Sequence, residues 1–280
     1  MHYSVLELCP VFHVTRSAYY HWLKGAKSPS ERENERLAKM VIEIHEKHPD
    51  EGYRRIRDDL NRWHHEHVND KRILRIDRKL HIQSNIKHRQ NCCTRRASDP
   101  AYTAENILNR QFYADAPNEK WLTDVTEFKY CIGPIIHKLY LSAILDLYDR
   151  RIVSYVLSDH NNNKLVFNTF DEAVKNNPQA HPLFHSDRGF QYTSRSFHSR
   201  LIEHEMTQSM SRVGHCIDNG PMEGFWGVLK REMYYGHKFA RKQDLMHAIS
   251  SYIHYYNFER LQRRLNVMTP YEYYEHYSAA

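Results

Sequence analysis

Cysteine is scarce in this 280-residue chain, and the five present (Cys9, Cys92, Cys93, Cys131 and Cys216) form an odd, scattered set without a C-x-x-C spacing. That argues against a disulfide scaffold and for reduced thiols, as in a bacterial-type cytosol. Cys92 and Cys93 lie near His88, but adjacent cysteines are poor tetrahedral ligands, so ordinary linker residues are the simpler reading than zinc. Unbroken apolar sequence is also missing. The longest candidate, Ile135–Leu157, is interrupted by His137, Lys138, Asp146, Asp149, Arg150 and Arg151, so no bilayer span and no membrane partner are expected. The N-terminus, MHYSVLELCP, has no basic start followed by an apolar run and is not expected to act as a secretory signal. Internal repeats, low-complexity tracts and sustained heptads are absent as well.

What remains is a soluble-type composition, 41% hydrophobic and 12% aromatic, sufficient for a sizeable core. The length suits about two domains at the usual ~100–200 residues each. Charge divides them. Residues 1–100 carry 20 basic and 14 acidic side chains, the whole net charge of +6, whereas residues 101–280 carry 20 of each. The densest stretch, Lys71 to Arg96, holds nine basic groups and one acid, Asp77. A basic front joined to a neutral back points to a polyanion-binding module attached to a second unit.

Hydrophobic periodicity gives the organisation. Residues 4–24 read as two short helices, opened by a candidate Ser4–Glu7 capping box and closed by Gly25 and Pro29. Leu37, Val41 and Ile44 recur at helical spacing, as do Ile56, Leu60 and Trp63, and then Ile73, Ile76 and Leu80. Three short amphipathic helices, the last studded with Lys71, Arg72, Arg75, Arg78 and Lys79, suit a helix-turn-helix module; a small bundle with a solvated basic face is the plainer alternative. Residues 84–113 read as an exposed basic linker. Beyond it, Trp121–Tyr130, Ile135–Asp146, Arg151–Ser158, Pro182–His185 and Met206–Ser211 are strand candidates, with helices between the later ones. The pattern implies an α/β domain with a mixed five-stranded sheet, followed by a mostly helical stretch from Asn219.

Three acids stand out. Asp124 lies in the middle of a strand otherwise built for burial, where a lone carboxylate is costly unless paired or metal-bound. Asp187 follows a short apolar strand, the place where α/β sheets put functional groups. Glu223 sits in the first turn of a helix, a favourable place for an anion. If the three converged they would need a divalent cation, and oxygen-only ligation is Mg²⁺ or Mn²⁺ chemistry. Asp187 as a turn residue and Glu223 as a helix cap are the simpler alternatives. Gly227 and Lys230 share the face of Glu223, with Phe225, Trp226, Leu229 and Met233 directed to the core. That face suits a phosphate backbone, though Lys230 also reads as a solvated lysine.

These pieces, in order, carry a resemblance: WLTDVTEF around Asp124, KLYLSAILDLYDRRIVSYVL from Lys138, HSDRGFQYTS around Asp187, SMSRVGHCIDNGPMEGFWGVLKREMYYG around Glu223, and the terminal YIHYYNFERLQRRLNVMTPYEY. The chain resembles the second-frame (OrfB) transposases of bacterial insertion sequences, whose catalytic core is of the retroviral-integrase, RNase H-like kind. The 35 residues between Asp187 and Glu223 match that group. The resemblance implies that Asp124, Asp187 and Glu223 form a DDE triad holding two Mg²⁺ ions, with Mn²⁺ able to substitute, and that Lys230 contacts DNA. It implies metal-dependent cleavage at the element's ends and strand transfer by the freed 3′-hydroxyl, without a covalent protein–DNA intermediate. The front half, including Gly52-Tyr53-Arg54-Arg55, is similar to the family's helix-turn-helix segment, so Arg54, Arg55, Lys71, Arg72, Arg75 and Arg78 are expected on DNA.

The implied layout is a partial helix-turn-helix over residues 1–27, a DNA-binding domain over 28–90, a basic linker over 91–113, the catalytic core over 114–235 and its helical tail over 236–280. The implied partners are double-stranded DNA (terminal inverted repeats and target), further copies of the chain on that DNA, and an upstream-frame (OrfA) protein or fusion, in a cytoplasmic, nucleoid-associated setting. A residue after the glutamate that is often Ser in the family is Gly224 here, with little consequence expected. The competing readings are a non-catalytic DNA-binding regulator of transposition and an RNase H-type nuclease.

Overall fold

A computed structural model describes residues 4–25, 27–86 and 102–278. The chain divides into two compact units, Met1–Asn85 and Ile86–Ala280. Cys92, Cys93, His88 and the start of the expected linker lie outside the described residues.

The first unit is all helical: α1 (Val5–Val11), α2 (Arg16–Leu23), α3 (Pro29–Lys47), α4 (Tyr53–Trp63) and α5 (Asp70–Leu80). Local sequence explains the starts. Ser4 and Glu7 cap α1 reciprocally, Ser28 and Glu31 do the same for α3 ahead of its Pro29, and Asn69 caps α5. One core joins the last three helices through Leu37, Val41, Ile44, Ile56, Leu60, Ile73 and Ile76, all buried. Trp63, assigned to that core by its spacing, is instead 48% exposed and lies under the Arg62 guanidinium. It occupies the last position of α4, where the helix no longer faces its partners.

The second unit is built on a five-stranded sheet in the order β3-β2-β1-β4-β5. Its strands are β1 (Lys120–Ile132), β2 (Ile135–Asp146), β3 (Ile152–Ser158), β4 (Leu183–Ser186) and β5 (Thr207–Met210), with α6 (Asn163–Asn176) and α7 (Arg195–Glu203) as crossovers. β1, β2 and β3 pair antiparallel, whereas β4 runs parallel to both β1 and β5. Strand alternation sorts the two faces. Leu122, Phe128 and Tyr130 of β1 pack with α8 (Gly220–Leu229) and α9 (Lys242–Phe258), while Trp121 and Val125 pack with α6 and α7. The C-terminal α10 (Pro270–Ser278) lies against α9, where Phe258 and Tyr271 meet at 4.6 Å.

Residues 102–113 are mostly exposed, as expected of a linker, but they are anchored to the second unit rather than free of it. Leu108 is 1% exposed in the sheet's core, which contributes about 2 kcal/mol for a side chain of its size. The Met210 N–H donates to the Glu105 carbonyl, and the Tyr102 N–H donates to the Thr193 carbonyl. The few apolar residues here (Ala104, Ile107, Leu108 and Phe112) carry no helical or strand period, and the hydrogen-bond partners of Leu108 lie about a hundred residues away.

Candidate active site and nucleic-acid surface

Asp124 lies on the face of β1 that meets α8, as strand parity with Leu122 and Phe128 requires. The parallel β1–β4 register pairs Leu122 with His185, and the same offset carried two residues further sets Asp187 level with Asp124. Asp187 directly follows β4, and its Oδ1 accepts the Gly189 N–H at 2.8 Å. A Cβ at position 189 would lie 3.0 Å from that oxygen, so the glycine leaves the carboxylate its room. Beneath it, burial pushes the His185 imidazole down to about 4, so this histidine is neutral.

Glu223, in the first turn of α8, is near enough to repel the Asp124 carboxylate. One turn on, the Trp226 indole Nε1 donates to Asp124 Oδ2 at 3.0 Å, and the Val125 N–H donates to Oδ1 at 2.8 Å. Burial pushes the Asp124 carboxyl up to about 8, helped by Coulomb repulsion first from Asp187 and then from Glu223. Asp187 is raised as well, again by burial. Asp124 is therefore an electrostatic neighbour of both other acids. The three are not a formed ligand cage: among the described residues, no group of three or more His, Cys, Asp or Glu side chains is arranged to hold a metal ion. The donor chemistry nevertheless fits a hard divalent cation. The hydrogen bonds to Asp124 and Asp187 come from backbone and indole N–H groups, and oxygen donors that repel one another gain from a cation between them.

Periodicity alone sends Trp226 wholly to the core and misses its part in the site. The indole is indeed mostly buried, at 6% exposure, but a buried tryptophan still needs an acceptor for its N–H, and that is the available signal. Asn219, just before α8, is likewise missed; its amide donates to the Thr123 carbonyl at 3.1 Å and ties the helix start to β1. Lys230 follows the end of α8, where the helix widens into a π-turn closed by the Tyr235 N–H on the Lys230 carbonyl. Its ammonium lies over the Phe128 ring, 5.3 Å from the centroid. Phe128 is four residues, roughly 13 Å, along β1 from Asp124, so the lysine flanks the acids rather than joining them. Gly224 is exposed, and an added Cβ there meets nothing within 4 Å.

In the first unit the expected DNA contacts separate. Lys71, Arg75 and Arg78 are exposed and share one face of α5 with Lys79. Arg72 donates to Asn34 of α3 at 2.9 Å, which turns it inward. Arg55 is paired with Asp50 and Glu51, both at 2.8 Å, an ion-pair role rather than an open one. Arg54 is exposed and lies 4.9 Å from the Tyr53 ring centroid. Replacing Lys71, Arg75 and Arg78 together by alanine is expected to weaken duplex binding uniformly across sequences. It should also flatten the plot of log K against log salt by about 3, near one for each phosphate no longer neutralised. A fluorescence-anisotropy salt titration reads both; Arg55→Ala should lower unit stability without changing the slope.

Comparison with known proteins agrees with both units. The "Integrase core domain" model matches residues 114–216, a second model of the same description matches residues 223–277, and the "HTH-like domain" model matches residues 31–90. The chain is 38% identical over 273 residues to the putative transposase InsK for insertion sequence element IS150 of Escherichia coli, covering 97% of this chain and 93% of that protein. It is 32% identical to the 31 kDa protein of insertion element IS600 of Shigella sonnei, covering 96% and 98%. Among solved structures, a simian T-cell lymphotropic virus intasome matches with TM-score 0.50 at 16% identity, covering 78% of this chain and 73% of that one, a likeness of fold alone. With an integrase core domain over residues 114–216 and an HTH-like unit before it, the chain belongs to the transposases of bacterial insertion sequences.

Proposed function

We propose that this transposase cuts DNA at the ends of its element and joins the freed 3′-hydroxyl to target DNA, using divalent cations held by Asp124, Asp187 and Glu223. The observation that carries this reading is the setting of Asp124 on β1: burial first, and then repulsion from Asp187 and Glu223, push its carboxyl up to about 8. When bound, Mg²⁺, with two ions and with Mn²⁺ as a substitute, activates a nucleophilic oxygen and stabilises a leaving one at phosphorus. The chain's own part is placement. β1 and the adjacent end of β4 present two carboxylates at one level, and α8 brings the third. The Trp226 N–H holds Asp124 by one oxygen and so limits its rotation. Lys230, over the Phe128 ring, supplies a positive charge on the flank of the acids, suited to a backbone phosphate away from the scissile one. The exposed basic face of α5 binds duplex DNA at the terminal repeats. Assembly as several copies on DNA, within the bacterial nucleoid, follows from the need to treat two element ends together.

A cation titration of thermal stability tests the metal reading without requiring turnover. Saturation at ten times Kd adds about 1.4 kcal/mol, or roughly 3–6 °C in Tm for a unit of this size. Wild-type protein should show that rise with Mg²⁺ or Mn²⁺, and Asp124→Asn should show none. The pH dependence has a definite sign. The folded state keeps a proton on Asp124 that the unfolded chain releases above its ordinary value near 3.8, so this contribution to stability is complete at low pH and is lost as pH rises towards 8. The cation's effect should grow over that same window. Equal shifts in wild type and Asp124→Asn would remove the acids from metal binding.

A further inference from the structure

Within the second unit, the segment that precedes β1 clasps the chain just before the glutamate helix. Asp218, five residues before Glu223, is fully buried. Arg212 donates to both of its oxygens, Nε to Oδ2 and Nη2 to Oδ1, each at 2.8 Å. Two more donors come from more than a hundred residues upstream: Arg110 Nε to Oδ1 at 2.7 Å and Asn106 Nδ2 to Oδ2 at 3.0 Å. Arg212 first, and then Arg110, hold the Asp218 carboxyl well below the usual carboxylate range.

The same segment is anchored beneath Asp187. The Ile107 and Leu108 N–H groups both donate to Ser209 Oγ, at 3.0 and 3.1 Å. With both lone pairs engaged, the Ser209 hydroxyl donates to His185 Nδ1 at 2.9 Å, which leaves the His185 Nε2–H to donate to Ser211 Oγ at 3.1 Å. The backbone here is forced: Asn109 and Arg110 both take the left-handed conformation, with φ of 41° and 63°. Asparagine tolerates it, whereas arginine adopts it only where the surroundings over-determine the turn. Downstream, the Phe112 ring lies 3.6 Å from where a Cβ at Gly220 would stand, at the first residue of α8.

We propose that residues 102–112 are a positioning strap, in which Arg110 and Asn106 act through Asp218 to set the start of α8 and with it the placement of Glu223. This rests on the reading of Glu223 as a catalytic acid. Arg110 is a positioning residue, acting through Asp218 rather than on the reacting atoms. The strap lies within the second unit, ahead of its first strand, and orders the acid supplied by α8.

Two readouts on full-length protein separate the strap from the function it serves. Arg110→Ala, and independently Asn106→Asp, should speed amide hydrogen exchange across Gly220–Trp226 by tenfold or more, with α9 unchanged. In single-turnover cleavage of a labelled element end with Mg²⁺, both variants should be slowed roughly 10- to 100-fold, the usual cost of a small misplacement. Duplex Kd should stay within about twofold, and Arg110→Lys should recover part of the rate. Wild-type protein that fails to cleave with any divalent cation contradicts the proposed function, and the exchange experiment still decides the strap. Unchanged exchange over Gly220–Trp226 in both variants overturns the strap, as does a rate loss matched by an equal loss of DNA binding.

Discussion

Asp187→Asn should lower strand cleavage by at least about a thousandfold, some 4 kcal/mol of transition-state stabilisation, while leaving affinity for the same duplex within about twofold. The substitution is close to isosteric. An asparagine oxygen still accepts the Gly189 N–H that now holds Asp187 at 2.8 Å, so the turn after β4 survives. What disappears is a formal charge that a hard cation needs, in a place where electrostatic terms are large. Asp124→Asn and Glu223→Gln should behave alike, because carboxylates acting through a common cation do not contribute additively. A second signature distinguishes this from simple damage. Asp124 and Asp187 are both raised by burial, and Asp187 also repels Asp124, so neutralising either should raise the Tm of metal-free protein. A variant that is inactive, binds DNA normally and melts higher is the expected combination; cleavage surviving in Asp187→Asn would detach that residue from the reaction.

Arg260→Ala should carry the largest stability cost, about 3–5 kcal/mol, or roughly 6–20 °C in the Tm of the catalytic unit. Glu232, in the π-turn that follows α8, is 4% exposed, and Arg260 is 14% exposed. The guanidinium grips both carboxylate oxygens, Nε at 2.9 Å and Nη2 at 2.7 Å, and the Tyr252 hydroxyl of α9 adds a third donor at 2.7 Å. Removing the arginine leaves a buried charge with its principal partner gone, which costs far more than the intact pair contributes. Arg260→Lys should fall between, since an ammonium lacks the planar fork. Pairing Glu232→Gln with Arg260→Met should recover most of the loss. Differential scanning calorimetry reads all three; a loss below about 1 kcal/mol for Arg260→Ala would show that water replaces the partner.

The parts legible in the sequence are those whose signal is local. Runs rich in β-branched, aromatic and aliphatic residues in 121–130 and 135–146 place β1 and β2 to within two residues, because these strands are buried in the sheet. The acids are visible for a related reason: Asp124 interrupts a strand built for burial, and Asp187 and Glu223 sit at element ends. Signals that depend on distant partners are not visible. Nothing near Asn106 or Arg110 indicates that both donate to Asp218, and the left-handed turn at Asn109 and Arg110 has no glycine to announce it. Trp226 follows the apolar stripe of its helix, and periodicity cannot show which acceptor its N–H finds. Arg55 fails for a different reason. Asp50 and Glu51, five and four residues before it, are plain in the sequence, but a basic segment invites every arginine to be assigned to phosphate.

The measurement that bears hardest on this account is cleavage of an end-labelled duplex carrying the element's terminal repeat, with Mg²⁺, Mn²⁺ or EDTA present. Nicking at the element's 3′ end that requires either cation, stops with EDTA and vanishes in Asp124→Asn and Glu223→Gln is the predicted result. Tight binding of the same duplex without nicking under any cation would contradict it and leave a DNA-binding protein without the chemistry.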